Sequence, residues 1–211
     1  MVPTSAKPSK HLASRAETGR ILRAGTVSTI ELRAAMIIGS GSASWTMVRD
    51  LAARLPIMVL PRWLKNHSHP IAIDDVIAAI LLSLRLETTE SNVFEIPGPE
   101  RIDHKELLGR VVTLMGRKRP MVSVPVLSPR LSSYWIALVT RTDLSLAKEL
   151  VEGVRDDLDP SHSLLWDHVE HTPMSLDDSI KLAFVDATDV QTDVKQRRRA
   201  ETLGQTYKGK Q

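Results

Sequence analysis

The feature that most constrains the fold is an apolar run that ends in glycines. Residues 30–41 read IELRAAMIIGSG, and the segment from Ala34 to Ile38 is continuously apolar. Such a run is typical of a strand that is covered on both faces, as strands of parallel sheets are. We therefore predict one buried strand over Thr26–Ile38, followed by a tight turn that starts at Gly39.

Two helical patterns flank this predicted strand. Apolar side chains recur at helical spacing over His11–Arg23 and again over Ser44–Leu55. Helix, strand, turn and helix together form an α/β unit, and in open α/β sheets ligands bind at the carboxyl ends of the strands. We therefore expect any functional site of this chain to start at the turn that follows the strand.

The rest of the chain contains more helical patterns than strand patterns. Helices are predicted over Val76–Arg85, His104–Met115, Leu131–Thr140, Leu144–Leu158 and Ser175–Ala183, and short strands over Ile57–Leu60, Asn92–Ile96 and Val122–Val126. Asp74, Asp103 and Ser175 are the expected N-caps of three of these helices. The fold class is therefore α/β: a partial Rossmann-like, doubly wound parallel sheet with a smaller helix-rich C-terminal lobe. The predicted divisions are an irregular N-terminus (1–10), the C-terminal half of the sheet (11–100), the helix-rich lobe (101–190) and a basic disordered tail (191–211).

The charge distribution argues against a nucleic-acid partner. The net charge is +3, but from Lys195 onward there are six cations and one anion, which leaves −2 on the remainder. A nucleic-acid surface needs a basic face on the fold, and a basic terminus alone does not supply one. The longest wholly apolar run, Val76–Leu82, is too short to span a membrane. The chain has no cysteine, which excludes thiolate chemistry, and we expect a cytoplasmic protein.

Several side chains that can bind metal ions lie near one another in the sequence. They are His67 and His69, then His162, His168 and His171, and the pair Asp74 and Asp75. Neither histidine set has the i, i+4 spacing of a helical zinc site, so we predict solvated histidines and no metal site. The aspartate pair is interpreted as a helix cap and a partner of the helix dipole.

The glycine turn is open to two interpretations. Gly39-Ser40-Gly41 follows a strand and precedes a helix, as a phosphate-binding turn does. However, Ser44 stands where the third glycine should be, and no acidic residue occurs about 20 positions later. We therefore favour a tight turn in which Ser42 or Ser44 caps the next helix.

Four motifs occur in an order that resembles a known family. They are His11-x-x-x-Arg15-x-Glu17, Leu32-Arg33-Ala34-Ala35-Met36-Ile37-Ile38-Gly39, Pro70-Ile71-Ala72-Ile73-Asp74-Asp75-Val76 and Val93-Phe94-Glu95-Ile96-Pro97-Gly98-Pro99. Over residues 9–185 the chain resembles the C-terminal portion of an extended or atypical short-chain dehydrogenase/reductase. The most similar branch is that of the NAD(P)-binding, nucleoside-diphosphate-sugar-epimerase-like and NmrA-like proteins.

The resemblance implies an NAD(P)-dependent oxidoreductase or epimerase-like protein with a small-molecule substrate. In the family a Tyr-x-x-x-Lys pair handles the proton, and the matching positions here are His11 and Arg15, the implied catalytic residues. The implied contacts with NAD or NADP come from Arg15, Arg33, Ala34, Ala35 and Gly39. Those with substrate come from Arg62 and Trp63.

Two departures from the family pattern keep alternatives open. The histidine and arginine in place of tyrosine and lysine also fit a non-catalytic dinucleotide-binding, structural or sensor domain. The glycine-rich first strand and turn of the family are missing from this sequence, so an inactive truncated fragment is the third hypothesis. A parallel sheet without its first strands leaves an open edge, and we expect self-association through that edge.

Overall fold

A computed structural model describes residues 10–124, 134, 136, 139–140, 143–154 and 157–185. The helices are α1 (Lys10–Arg23), α2 (Ala43–Arg54), α3 (Ile73–Ser83), α4 (His104–Leu114), α5 (Leu144–Gly153) and α6 (176–185). The strands are β1 (Ile30–Arg33), β2 (Ile37–Ile38), β3 (Met58–Pro61), β4 (His67–Ser68), β5 (Ile71–Ala72), β6 (Asn92–Glu95), β7 (Ile102–Asp103) and β8 (Met121–Val124). Two short 3₁₀-helices cover Arg62–Lys65 and Leu165–Asp167. The predicted tail, 191–211, lies outside the described residues.

The strands pair mainly in parallel. β1 pairs with β6, β2 with β5 and β3 with β8, all in parallel, whereas β4 and β7 are antiparallel. The connection from β1 to its parallel neighbour β6 contains α3, which packs against β1. Parallel pairs need a crossover of this kind. The predicted α/β fold class is therefore confirmed.

The prediction of one continuous strand over Thr26–Ile38 is wrong. The structure has two short strands, β1 and β2, with Ala34–Met36 between them in non-strand conformation. The chain changes partners here, because Arg33 O accepts from Ile96 N beyond β6 whereas Met36 O accepts from Ile71 N in β5. The apolar run is therefore shared between two strand pairs.

The prediction that Asp74 caps α3 is also wrong. The helix begins at Ile73, and its N-cap residue, Ala72, makes no side-chain capping bond. Asp74 is exposed in the first turn, whereas Asp75 is 4% exposed and accepts bonds from the C-terminal region. By contrast, the cap predicted at Asp103 is confirmed, since its carboxylate accepts from the amide of Glu106 at 2.6 Å.

Two hydrophobic clusters hold the described residues together. The larger one joins α2, α4, α5 and α6, with Trp45 fully buried and its ring centroid 5.4 Å from that of Phe184. The smaller one joins β5, β6 and α3 to the 3₁₀-helix at Leu165. The predicted division of the chain at residue 100 stays a prediction, and the larger cluster takes residues from both sides of it.

Candidate functional site

Three chain segments meet where β1 and β6 end. Ile96 N donates to Arg33 O at 3.0 Å, which joins the two strands at their carboxyl ends. Gly98 N donates to His69 O at 3.3 Å, which brings the segment before β5 to the same place. The carboxyl end of a parallel sheet is the usual location of a ligand site in this class of fold. We treat this junction, 33–39 with 69–73 and 95–98, as the candidate site.

Two glycines let the backbones at the candidate site approach closely. A Cβ on Gly98 would collide with the carbonyl oxygen of Pro70, and one on Gly39 would lie 2.5 Å from Ile73 Cγ2. Only glycine fits such a close approach without movement of its neighbour. Gly39, one of the predicted cofactor-contacting residues, is therefore required by packing at this position.

The glycine turn after β2 is a helix-capping turn. Gly41 has φ of +88°, a left-handed conformation that glycine adopts readily. Ser42 N donates to Gly39 O at 3.2 Å, and Ser42 Oγ accepts from Trp45 N at the start of α2. The interpretation of Ser42 as the cap is confirmed.

Helix α1 runs antiparallel to β1. This orientation indicates how far along β1 the predicted catalytic pair, His11 and Arg15, is expected. Thr29 Oγ1 donates to Leu22 O at 3.3 Å, and Gly19 packs directly against the carboxylate of Glu31. One further helical turn rises about 6 Å, the length of roughly two strand residues. We therefore expect Arg15, one turn before Gly19 on the same helix face, near the level of the end of β1.

That the predicted catalytic and cofactor-contacting residues share one end of the β1–β6 pair stays a prediction. Arg15 is exposed on α1, and His11 lies one turn nearer the helix start. Ala34 and Ala35, both half-buried, follow β1 directly. The side chain of His11 lies outside the described part of the structure.

Arg33 is held by a neighbouring carboxylate. Its Nε lies 2.6 Å from Glu31 Oε1, and the other oxygen of Glu31 pairs with Arg23 of α1. All three side chains are largely buried. A buried ion group of this kind orients Arg33 through Glu31, and a role for Arg33 beside a cofactor stays a prediction.

The two residues predicted to contact substrate lie on a different element. Arg62 and Trp63 belong to the 3₁₀-helix that follows β3 and packs against α4. Their side chains lie outside the described part of the structure. The segment that follows them runs through β4 into the candidate site at His69.

A fully buried glutamate at the end of β6 was missed by the sequence analysis. Glu95 is 0% exposed, and its Oε2 accepts from the backbone amides of Ser161 and His162. Glu95 N in turn donates to Ser163 O at 2.9 Å. A charged residue inside an apolar strand is the signal that could have identified it, because such a group is buried only when it has partners.

Histidine–carboxylate pairs fasten the region after α5 to the rest of the molecule. His67 Nδ1 and His69 Nε2 lie 3.2 and 3.3 Å from the carboxylates of Asp157 and Asp159, respectively. His171 Nε2 lies 2.8 Å from Asp75 Oδ1, and Asp75 Oδ2 accepts from a backbone amide at 3.0 Å. The interpretation of these histidines as simply solvated is wrong, since His69 and His171 are largely buried in these pairs.

The pKa values of Asp159 and His104 in this region are both lowered. The Arg101 guanidinium, which donates to both oxygens of Asp159, lowers the pKa of that carboxyl, with a further contribution from His69. Burial lowers the pKa of His104 to about 4, because a charged imidazolium would lose its hydration. His104 is therefore a neutral buried residue at neutral pH.

The described residues contain no group of three or more His, Asp or Glu side chains arranged to hold a metal ion. Among the helices of the described ranges, none has the length and apolar character required to cross a membrane.

Comparison with known proteins gives matches at the level of fold. No protein-family model and no curated protein matches the chain. The structure resembles the crystal structure of gox2253, with a TM-score of 0.56 and 16% identity, over 84% of this chain and 54% of that chain. It also resembles the UDP-glucose 4-epimerase of Thermotoga maritima, solved with UDP-glucose, with a TM-score of 0.56 and 16% identity. That match covers 85% of this chain and 53% of the epimerase.

The chain therefore spans about half the length of the structures it matches. At this level of identity the likeness is one of fold. The fold implied by the sequence motifs is confirmed: the chain is similar to one portion of an epimerase-type, Rossmann-like protein.

Proposed function

We propose that this chain forms the substrate-side half of an NAD(P)-dependent oxidoreductase or epimerase-like protein of the short-chain dehydrogenase/reductase type. The single observation that supports this most is the convergence at the candidate site. The carboxyl ends of β1 and β6 meet there, and α1, which carries Arg15, runs antiparallel to β1. A dinucleotide is the ligand class that this end of a Rossmann-like sheet binds.

The segment after β1 carries small side chains. Ala34 and Ala35, both half-buried, add only methyl groups there, whereas the space beside Gly39 and Gly98 is filled by Ile73 and Pro70. Arg15, exposed on α1, supplies hydrogen-bond donors of the kind that ribose hydroxyls accept. A bound NAD(P) would supply the hydride donor or acceptor.

His11 and Arg15 would take the roles of the family's tyrosine and lysine, respectively. A histidine can gain or lose a proton near neutral pH, so His11 is the proposed general acid or base. Arg15 stays charged at all relevant pH values and therefore serves as a hydrogen-bond donor and a fixed positive charge. Arg62 and Trp63 are the proposed substrate contacts.

One observation favours a second candidate function. The absence of tyrosine and lysine at positions 11 and 15 equally fits a domain that binds a dinucleotide without turnover. Such a domain would act as a structural or sensing element. The two candidates share the binding step and differ only in the chemistry at His11.

Calorimetric titration of the full chain with NADH and with NADPH tests the shared step. We expect saturable binding of one of them, weakened about tenfold or more by Arg15→Ala, since a charged hydrogen bond contributes about 1.5–3 kcal/mol. The matched control is Arg20→Ala. Arg20 is an exposed arginine that lies after Arg15 on the same helix and pairs with Glu17, so this variant should bind the dinucleotide as the parent chain does. Absence of binding to either dinucleotide would overturn the proposal.

Turnover separates the two candidates. If the chain is an enzyme, oxidation of NAD(P)H in the presence of carbonyl or quinone substrates should fall in His11→Ala while dinucleotide affinity is retained. Binding without turnover, unchanged by His11→Ala, would support the non-catalytic candidate.

A further inference from the structure

A cavity of about 530 Å³ lies along one face of helix α4. Residues of α4 at a spacing of three and four line it, and β8 and the start of α6 complete the lining. We call this space the α4 cavity, and its lining includes Gly109, Arg110, Thr113, Arg117, Arg119 and Met121. The segments of the candidate site, 33–39, 69–73 and 95–98, do not contribute to it. The α4 cavity is therefore a second, separate concave surface.

Arg119 brings a buried donor without a partner to the α4 cavity. Its side chain is half-buried, and its Nε atom is buried with no hydrogen-bond partner among the described residues. Buried donors are normally paired, because a donor that loses its hydration without gaining a bond is unfavourable. An acceptor atom of a bound ligand would satisfy this donor.

Arg117 lines the same cavity and is held by the backbone of a neighbouring helix. Its Nη1 donates to the carbonyl oxygen of Ala53 in the last turn of α2. A guanidinium has five N–H donors, so this bond leaves donors for a ligand. Within the described ranges, neither Arg117 nor Arg119 forms an ion pair with a carboxylate.

The carboxylates near the α4 cavity act on a third arginine. Arg110 Nη1 donates to Glu100 Oε2 at 2.5 Å, and Arg110 Nε lies 3.4 Å from Asp177 Oδ1. The hydrogen bond to Glu100 raises the pKa of Arg110. The charges of Asp177 and Glu106 raise it further. The positive charge of this arginine is thereby balanced, whereas the other two arginines of the cavity have no such partner.

The turn that carries the two unpaired arginines is fixed on both sides. Gly116, with φ of +68°, ends α4 in a Schellman motif, in which Arg117 N donates to Val112 O at 3.1 Å. On the other side, Pro120 O accepts from Met58 N at 2.9 Å, directly before β8 begins. The backbone of the turn is therefore held in place before a ligand arrives, which lowers the cost of binding.

A phosphate group fits this arrangement of charges and donors best. Paired N–H groups of arginine match the oxygen spacing of phosphate and carboxylate groups. A phosphate monoester carries about two negative charges at neutral pH, which balances two arginines, whereas a carboxylate carries one. The volume of about 530 Å³ exceeds that of a phosphate group and lies in the usual range of small-molecule pockets. The lining also includes the apolar side chains of Val112, Leu114 and Met121.

We propose that the α4 cavity binds a small phosphate monoester, whose phosphate group is held by Arg117 and Arg119. The remainder of the ligand lies against the apolar part of the lining. NADH contains no phosphate monoester, so this site differs from the proposed dinucleotide site in its ligand as well as in its place.

Titration of the ¹⁵N-labelled full chain with phenyl phosphate, in the absence of any dinucleotide, tests this proposal. The side-chain Nε–H signal of Arg119 reports directly on the unpaired donor. We expect saturable shift changes of that signal and of the amides of residues 109–119. Benzoate, a carboxylate of similar shape, should bind more weakly because it carries a single charge.

Variants of the turn separate a specific site from a general effect of charge. Arg119→Ala should weaken the binding of phenyl phosphate about tenfold or more. Arg119→Lys keeps the charge but loses the paired donors, and it should bind more weakly than the parent chain. The matched control is Lys118→Ala, which removes one positive charge from the same turn. Lys118 does not line the cavity, so this variant should bind as the parent chain does.

A second variant guards against an effect of Arg119→Ala on the fold. Arg117 is exposed, and Arg117→Ala should also weaken binding about tenfold or more. The far-ultraviolet circular dichroism of both variants should match that of the parent chain.

Three outcomes would overturn the proposal. One is the absence of a saturable change at Arg119 Nε–H with phenyl phosphate. Another is an equal loss of affinity in Lys118→Ala and Arg119→Ala, which would indicate a general effect of positive charge. The third is benzoate that binds as tightly as phenyl phosphate, which would contradict the assignment to phosphate.

Discussion

Gly98 lies where the backbone after β6 crosses the backbone before β5. A Cβ at this position would meet the carbonyl group of Pro70, and backbone atoms, unlike the end of a flexible side chain, cannot move aside alone. The residue therefore sets how closely the two segments of the candidate site approach each other.

Replacement of Gly98 by alanine should consequently destabilise the fold. We expect Gly98→Ala to lower the free energy of unfolding by about 1–3 kcal/mol or more, as overpacking does, in urea titrations followed by circular dichroism. Gly153→Ala is the control, since a Cβ added to Gly153 would have no heavy atom within 4 Å and α5 ends there. Equal stability of Gly98→Ala and the parent chain would contradict the close approach.

His104 makes stability depend on pH. The structure buries it as the neutral form and lowers its pKa from 6.5 to about 4, so between these pH values the unfolded chain binds a proton that the folded chain does not. Stability is then fully present above pH 6.5 and is lost as the pH falls towards 4. The loss is on the order of 3 kcal/mol for a shift of this size.

A non-titrating residue at this position should remove that dependence. Urea titrations at several pH values between 7 and 4 should show a flatter decline for His104→Leu than for the parent chain. The Nε2 atom of His104 has no hydrogen-bond partner among the described residues, so an apolar replacement sacrifices no bond at that atom. An unchanged slope in His104→Leu would show that another group dominates the acid response.

The first turn of helix α3 is hydrogen-bonded to the segment that leads into α6. Asp75 accepts from His171 Nε2 at 2.8 Å and from the amide of Met174 at 3.0 Å, and it is 4% exposed. The helix is thereby tied to the segment that leads into α6.

Substitution of Asp75 should therefore lower the free energy of unfolding. We expect Asp75→Asn to cost about 1–3 kcal/mol, because an amide cannot replace a carboxylate that accepts two bonds in a buried position. Its neighbour Asp74 is exposed, and Asp74→Asn should cost less than about 1 kcal/mol, the usual contribution of a charge to the helix dipole. Thermal unfolding of the two variants provides the comparison, and equal losses would contradict the role assigned to Asp75.

Local patterns in the sequence predicted the helices and most caps. The periodicity of α1, α2 and α4 and the caps at Ser42 and Asp103 depend only on residues close in the chain, and these predictions are confirmed. The division of the apolar run into β1 and β2 depends on partners far along the chain, which no local pattern reveals. The roles of Asp75 and Glu95 were missed for the same reason.

Across the described residues as a whole, the segment after α5 links elements that lie far apart in the sequence. It returns to the ends of β4, β6 and α3, where His67, Glu95 and Asp75 contact it. Each of these contacts joins residues that are far apart in the sequence. The end of the sheet at which the candidate site lies is therefore built from segments spread over most of the described chain.

The chain covers about half of each structure that it matches in fold. β1 and β6 pair in parallel, and the matched structures continue for about as many residues again as this chain covers. Three of the four sequence motifs, those over 32–39, 70–76 and 93–99, contribute residues to one end of this pair. We propose that this end of the β1–β6 pair, together with Arg15 of α1, binds the dinucleotide.

The most direct test is a titration of the ¹⁵N-labelled chain with NADH or NADPH, followed by amide chemical shifts. We expect saturable shift changes at residues 33–39 and 96–98 and in the first turns of α1, with little change in α4. Changes confined to residues outside the candidate site and α1, or no changes at saturating dinucleotide, would contradict dinucleotide binding at this end of the pair.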